Sequence, residues 1–79
     1  MKIMKNTTAQ GTVIIEVKKV EPSKYKPGWM AVEGVVLEGS ITMRVWQSSR
    51  PRMQTVNLAG QAYGFNCRPE DLEAIEEVA

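Results

Sequence analysis

The sequence predicts a small, mainly β protein of the α+β class: a curved antiparallel sheet or small barrel of four to five strands with one C-terminal helix. Three observations carry this. Stretches rich in Val, Ile and Thr alternate apolar and polar residues at period two through most of the chain. Gly and Pro punctuate them at short intervals, so successive strands pair antiparallel. Only the last dozen residues switch to helical spacing. With 79 residues, the chain suits one domain, 1–79, with a thin core, because a chain of this size buries only about 60% of its unfolded surface.

Residues 1–10 are polar and mixed, with Lys5, Asn6, Thr7, Thr8 and Gln10, and read as a flexible N-terminal arm. Gly11 opens the clearest strand, 12–20. Val13, Ile15 and Val17 share one face; Thr12, Glu16 and Lys18 share the other with Ile14. Residues 21–28 hold two prolines and the Pro27-Gly28 pair and form a loop. A second strand is expected over 29–38, with Gly34 marking a bulge or bend. Trp29, Ala31, Val35 and Leu37 follow in phase, which points Trp29 into the core. Glu38-Gly39-Ser40 reads as a hairpin turn leading to a third strand, 41–47. Residues 48–52 read as a basic loop, 53–58 as a fourth strand and 61–66 as a short fifth strand or loop. The sheet or barrel thus spans 11–66.

Arg68-Pro69-Glu70-Asp71 starts an acidic C-terminal helix, expected over 68–79, with proline at its first position and acids on its amino-terminal dipole. Leu72, Ile75 and either Val78 or Ala79 fall on one stripe. So short a helix does not stand alone in water, so the stripe docks on the sheet or on a partner protein. The strand order resembles the oligonucleotide/oligosaccharide-binding (OB) fold and SH3-like barrels. The former places its helix between the third and fourth strands, where this chain has only the basic loop. No family motif is present, and no family residues are carried over.

Charge is uneven. All ten Lys and Arg lie in 1–68 against four acids, a net +6, while Glu70, Asp71, Glu73, Glu76 and Glu77 make the end −5. A basic body attracts polyanions or acidic surfaces. The acidic end repels such a ligand, imitates it or recruits a partner, or is simply a solvated helix face.

Catalysis is poorly equipped. There is no His for acid–base work at neutral pH, and the lone Cys67 has no His beside it. Cys67 reads as a small buried apolar residue, although Arg68 and the helix start could lower its pKa. No phosphate-binding glycine loop, zinc ligand set or membrane-spanning apolar run is present. The expectation is a non-enzymatic, cytoplasmic protein without cofactor or metal.

Binding is better supplied. Ile41, Met43 and Val45 alternate with Thr42, Arg44 and Trp46. If the first set is core, Trp46 and Arg44 lie outside, followed by Arg50 and Arg52; if the terminal helix covers Trp46, it is core instead. Tryptophan among arginines stacks bases while guanidiniums meet phosphates. Lys24, Tyr25 and Lys26 offer a second aromatic and basic cluster, or a solvated loop. Tyr63 and Phe65 alternate in phase and read as core or as a dock for the helix. Two functions follow. The first is nucleic-acid binding, with a single-stranded preference, through Arg44, Trp46, Arg50, Arg52, Lys24, Tyr25 and Lys26. The alternative is a small inhibitor or adaptor of mobile-element type that binds a host protein through Glu70, Asp71, Glu73, Glu76 and Glu77 or through the Arg/Trp face. Exposed strand edges allow a homodimer with either.

Overall fold

The structure, a computed structural model, describes residues 1–78. Among them one antiparallel sheet holds β1 (Lys2–Thr8), β2 (Gly11–Pro22), β3 (Met30–Gln47), β4 (Arg50–Asn57), β5 (Ala62–Cys67) and β6 (Glu76–Glu77), with a 3-10 helix at Pro69–Ala74 before β6. The order is β4-β3-β2-β1-β6, and β5 pairs with β3. The sheet is open, not a closed barrel: no ladder joins β5 to β6 among the described residues, and β6 spans only the pairings with Lys2 and Ile3.

β2 and β3 are the spine. Their ladder breaks twice, leaving Leu37 extra on β3 and Lys18 extra on β2. A bulge shifts alternation by one residue. Val32, Gly34 and Val36 therefore share the inner face of β3 with Ile41, Met43 and Val45 despite the change of parity. Gly34 sits where the two strands come closest: a Cβ there would run into the Glu16 carbonyl oxygen. Gly39, just past the first bulge, has φ 132°. β4 and β5 keep one register along β3, since Ser40 faces Asn57 and Val35 faces Ala62. They are two lengths of one interrupted strand. In the interruption, the Leu58 N–H donates to the Gly39 carbonyl at 3.0 Å and the Gly60 N–H to the Val36 carbonyl at 2.8 Å.

The core lies on the inner face: Met4, Val13, Ile15, Val32, Val36, Leu58 and Cys67 are buried, and Tyr63, Phe65, Leu72 and Ile75 pack against them half-buried. Asn6 Nδ2 donates to Tyr63 Oη at 3.1 Å. That bond joins β1 to β5 across the inner face, so the sheet curls toward itself. Among the described residues no polar or charged side chain is buried.

Four expectations are corrected. The arm at 1–10 is largely strand: β1 pairs with β2 from Ile3↔Glu16 to Thr8↔Gly11, and Met4 joins the core. Central β2 needs a neighbour on each edge to satisfy its backbone, and that demand overrides the polar composition of the arm. The turn at 38–40 is absent, because β3 runs straight through it with the bulge at Leu37. Residues 50–52 are strand, leaving only Ser48 and Ser49 as the turn. The C-terminal helix over 68–79 is replaced by the 3-10 helix and β6, with Ala79 outside the described residues. Leu72 and Ile75 still reach the core, since residues three apart line up on a 3-10 turn. The β1 edge then supplies hydrogen-bond partners that a lone short helix lacks: the Val78 N–H donates to the Met1 carbonyl at 2.7 Å.

Candidate nucleic-acid interface

β3 outlasts β2. Its last partner there is Gly11, opposite Ile41, and the Thr42 N–H donates to the Gln10 carbonyl at 2.8 Å. Beyond that point β3 pairs with β4 alone, from Thr42↔Thr55 to Gln47↔Arg50. Residues 42–55 are thus a two-stranded ribbon projecting from the sheet. Ser48 and Ser49 close it with φ 48° and 67°. Two positive φ values are the mark of the type I′ turn, whose twist matches that of the flanking strands. A two-residue turn makes Gln47–Arg50 a hydrogen-bonded pair, so Trp46–Pro51 is a non-bonded one. The missing N–H of Pro51 therefore faces the outer edge of β4, where it blunts edge pairing.

Alternation sorts the ribbon side chains. Thr42, Arg44 and Trp46 lie on the outer face opposite Thr55, Met53 and Pro51. Met43 and Val45 lie on the inner face opposite Gln54 and Arg52, and Arg50 follows in phase with Arg52. Trp46 is 69% exposed. The structure thus decides the open question about Trp46: no helix covers it. It also splits the predicted cluster. Arg44 and Trp46 are companions, while Arg50 and Arg52 emerge on the opposite face, on either side of Pro51. The ribbon contains no acidic residue, and none of its arginines forms an ion pair among the described residues.

Lys24, Tyr25 and Lys26 lie elsewhere. Their loop precedes Met30, the first residue of β3, whereas Gln47 is the last, so the length of β3 separates the two clusters. The Ser23 hydroxyl accepts from the Tyr25 and Lys26 N–H groups at 3.4 and 3.2 Å, which orders the loop. Tyr25 is fully solvated. Trp29, expected in the core, is only half-buried. The inward phase belongs to Met30, Val32, Gly34 and Val36, and Trp29 falls on the outer one. Lys26 Nζ sits 3.6 Å from its ring centre and the Arg68 guanidinium 5.2 Å away. Trp29 and Arg68 were not predicted as site residues. The signal for Trp29 lay in the Met30/Val32/Val36 alternation; Arg68 is distant in sequence, and only the Met30↔Cys67 pairing brings it near.

The acids do not form one stripe. Glu70, Asp71 and Glu73 lie on the 3-10 helix, and Glu76 and Glu77 on β6. Asp71 Oδ2 accepts the Arg68 N–H at 3.0 Å, tying down the helix start. Burial pushes the Cys67 thiol above its ordinary pKa, with the Asp71 and Glu70 carboxylates adding to the rise. The lowering expected from Arg68 and the helix start does not occur. Lys18 and Lys19 pair with Glu16 and Glu21 at 3.1 and 3.4 Å.

Among the described residues, no group of three metal-ligating side chains is assembled, and no helix is long and apolar enough to cross a membrane. No family model, curated protein or solved structure matches this chain.

Proposed function

We propose that the chain is a non-enzymatic nucleic-acid-binding module that grips single strands with its distal ribbon. The observation that supports this most directly is the ribbon itself, a projection with both faces open that carries three arginines, no acid and an exposed tryptophan. A base stacks on Trp46 with Arg44 beside it, and the backbone passes over the β4 edge toward Arg50 and Arg52. Stacking on an aromatic ring tolerates any base, and arginines track phosphate by charge, so binding is weakly selective for sequence. Counterion release makes it salt-dependent, with a slope of roughly −0.7 per phosphate for single strands.

The test is a titration of fluorescein-labelled single-stranded DNA, read by anisotropy at several salt concentrations. Binding should weaken steeply with salt, and replacing Arg44, Arg50 and Arg52 together with Ala should flatten the log–log slope by about 2. Trp46→Ala should weaken binding at every salt concentration by roughly 5- to 150-fold, the equivalent of one stacked base. Absence of binding at low salt would overturn the proposal.

One observation favours a second reading. Met53 lies on the same face of the ribbon as Trp46, opposite Arg44, and is 62% exposed. Deformable methionine beside Trp and Arg also suits a protein contact. A small inhibitor or adaptor acting through this face would capture its partner with little salt dependence, which separates it from the first reading.

A further inference from the structure

We propose that the loop 23–29 together with Arg68 is a second nucleotide-binding station, and that one strand runs from it along the outer face of β3 to the ribbon. This rests on the reading of the ribbon given above. The two tryptophans stand at opposite ends of β3: Trp29 immediately before its first residue, and, past the bulge, Trp46 on the outer face with Ser40, Thr42 and Arg44. Each has basic side chains beside it. Lys26 and Arg68 lie against the Trp29 ring, and Lys24 is in the same loop. Arg44 accompanies Trp46.

The floor between the stations is low near each end, and Glu33, Leu37 and Glu38 rise from it in between. Along the outer face Ala31 pairs with Asn66, Val35 with Ala62, and Thr42 with Thr55. Gly64, opposite Glu33, has no side chain. Beside the loop this floor forms an open groove of about 340 Å³, with Lys24 and Tyr25 on its wall and Ala31, Gly64 and Asn66 beneath. Small residues let a nucleobase approach the sheet, and the solvated Tyr25 ring can close over it. The same groove carries Glu21 and Glu33. Their carboxylates repel phosphate but accept hydrogen bonds from exocyclic amines, and Asn66 can both donate and accept. The groove therefore suits a base edge, with phosphates held by Lys24 on its wall and by Lys26 and Arg68 at Trp29. Glu70 and Asp71 follow Arg68, and Asp71 is already occupied by the Arg68 N–H.

Length discriminates. At the ~3.4 Å rise of a stacked strand, about 4 nucleotides cover roughly 14 Å and about 16 cover roughly 54 Å. Only the longer oligomer reaches both ends of a 42 Å molecule. Oligodeoxyadenosines of these two lengths, whose stacked bases each carry an exocyclic amine, are titrated against the full chain, against a Lys26→Ala/Arg68→Ala variant and against Trp46→Ala. The double variant should bind the long oligomer about tenfold more weakly or worse, and the short one within about twofold. In a Trp46→Phe background, the long oligomer should quench Trp29 emission. Tyr25→Ala, at a fully solvated position where folding is not at risk, should weaken the long oligomer alone. If the double variant and Tyr25→Ala bind the long oligomer as the parent does, while Trp46→Ala weakens it, the second station is overturned and the ribbon stands. If neither oligomer binds the parent at low salt, both proposals fall.

Discussion

The two halves of β3 obey the same alternation and meet different fates. From Met30 to Ile41 the strand has β2 on one edge and β5 or the end of β4 on the other, and its inward side chains Val32 and Val36 are 0% and 2% exposed. From Thr42 to Gln47 it has β4 alone, and its inward Met43 is 40% exposed. Alternation decides on which side a residue stands; only neighbours decide whether that side is covered. A lone two-stranded hairpin is marginal in water. This one is held by its base, through the Thr42–Gln10 bond, and by its turn. Apolar residues that would be core in the first half are left in solvent in the second, as Met43 shows.

The comparison breaks most directly by truncation. Ile15→Ala, at the fully buried centre of β2, should destabilise by about 2–5 kcal/mol. That is a large share of the roughly 4–12 kcal/mol typical of a chain this long. Trp46→Ala should stay within about 0.5 kcal/mol despite the larger deletion. Urea unfolding of both variants checks this, and equal losses would mean that the ribbon is not uncovered.

A smaller effect sharpens the account of the bulges. Gly34→Ala places a methyl against the Glu16 carbonyl oxygen and should cost about 1–3 kcal/mol. Gly28→Ala, where a Cβ meets open space, is strained only by its φ of 82°, a penalty of about 1–2 kcal/mol. Hydrogen exchange should show the Gly34 variant loosening the β2–β3 ladder while the ribbon amides stay as they were.

The smallest effect belongs to Cys67. Its raised folded-state pKa means that the unfolded chain gives up the thiol proton first. At neutral pH both states hold the proton, and the group contributes no pH dependence. As pH climbs past the ordinary thiol range near 8.5, stability should fall. Cys67→Ala should remove that alkaline slope, measured by urea midpoints across pH. Native Cys67 should also alkylate far more slowly than the unfolded chain, which a ribbon cysteine introduced at Met53 would not.

Much of the fold was legible. The faces of β2, the inward and outward sets of 41–46, and the docking of Leu72 and Ile75 all follow from spacing. Three features of the site were not. Trp29 shares its parity with Val35 and Leu37, but Val35 stands on the outer face and Leu37 is the exposed extra residue of the bulge, so that parity does not lead inward. Arg68 reaches Trp29 only through pairing between β3 and β5. Arg50 and Arg52 follow Trp46 closely in sequence, and the β3–β4 ladder turns them to the other side.

The sequence by itself determined what is local: period-two alternation, the turn-forming breaks and a three-residue spacing at the end. These depend on the geometry of a few consecutive residues. The tertiary structure decided what is shared between distant segments. It paired residues 2–8 with β2, made 30–47 one strand, and turned the acidic end into a 3-10 helix and an edge strand. It also left Trp46 in solvent, because beyond Thr42 β3 is paired with β4 alone. Backbone hydrogen bonds and apolar faces must be satisfied by whichever segment arrives, and residues far away in the chain settle which one does.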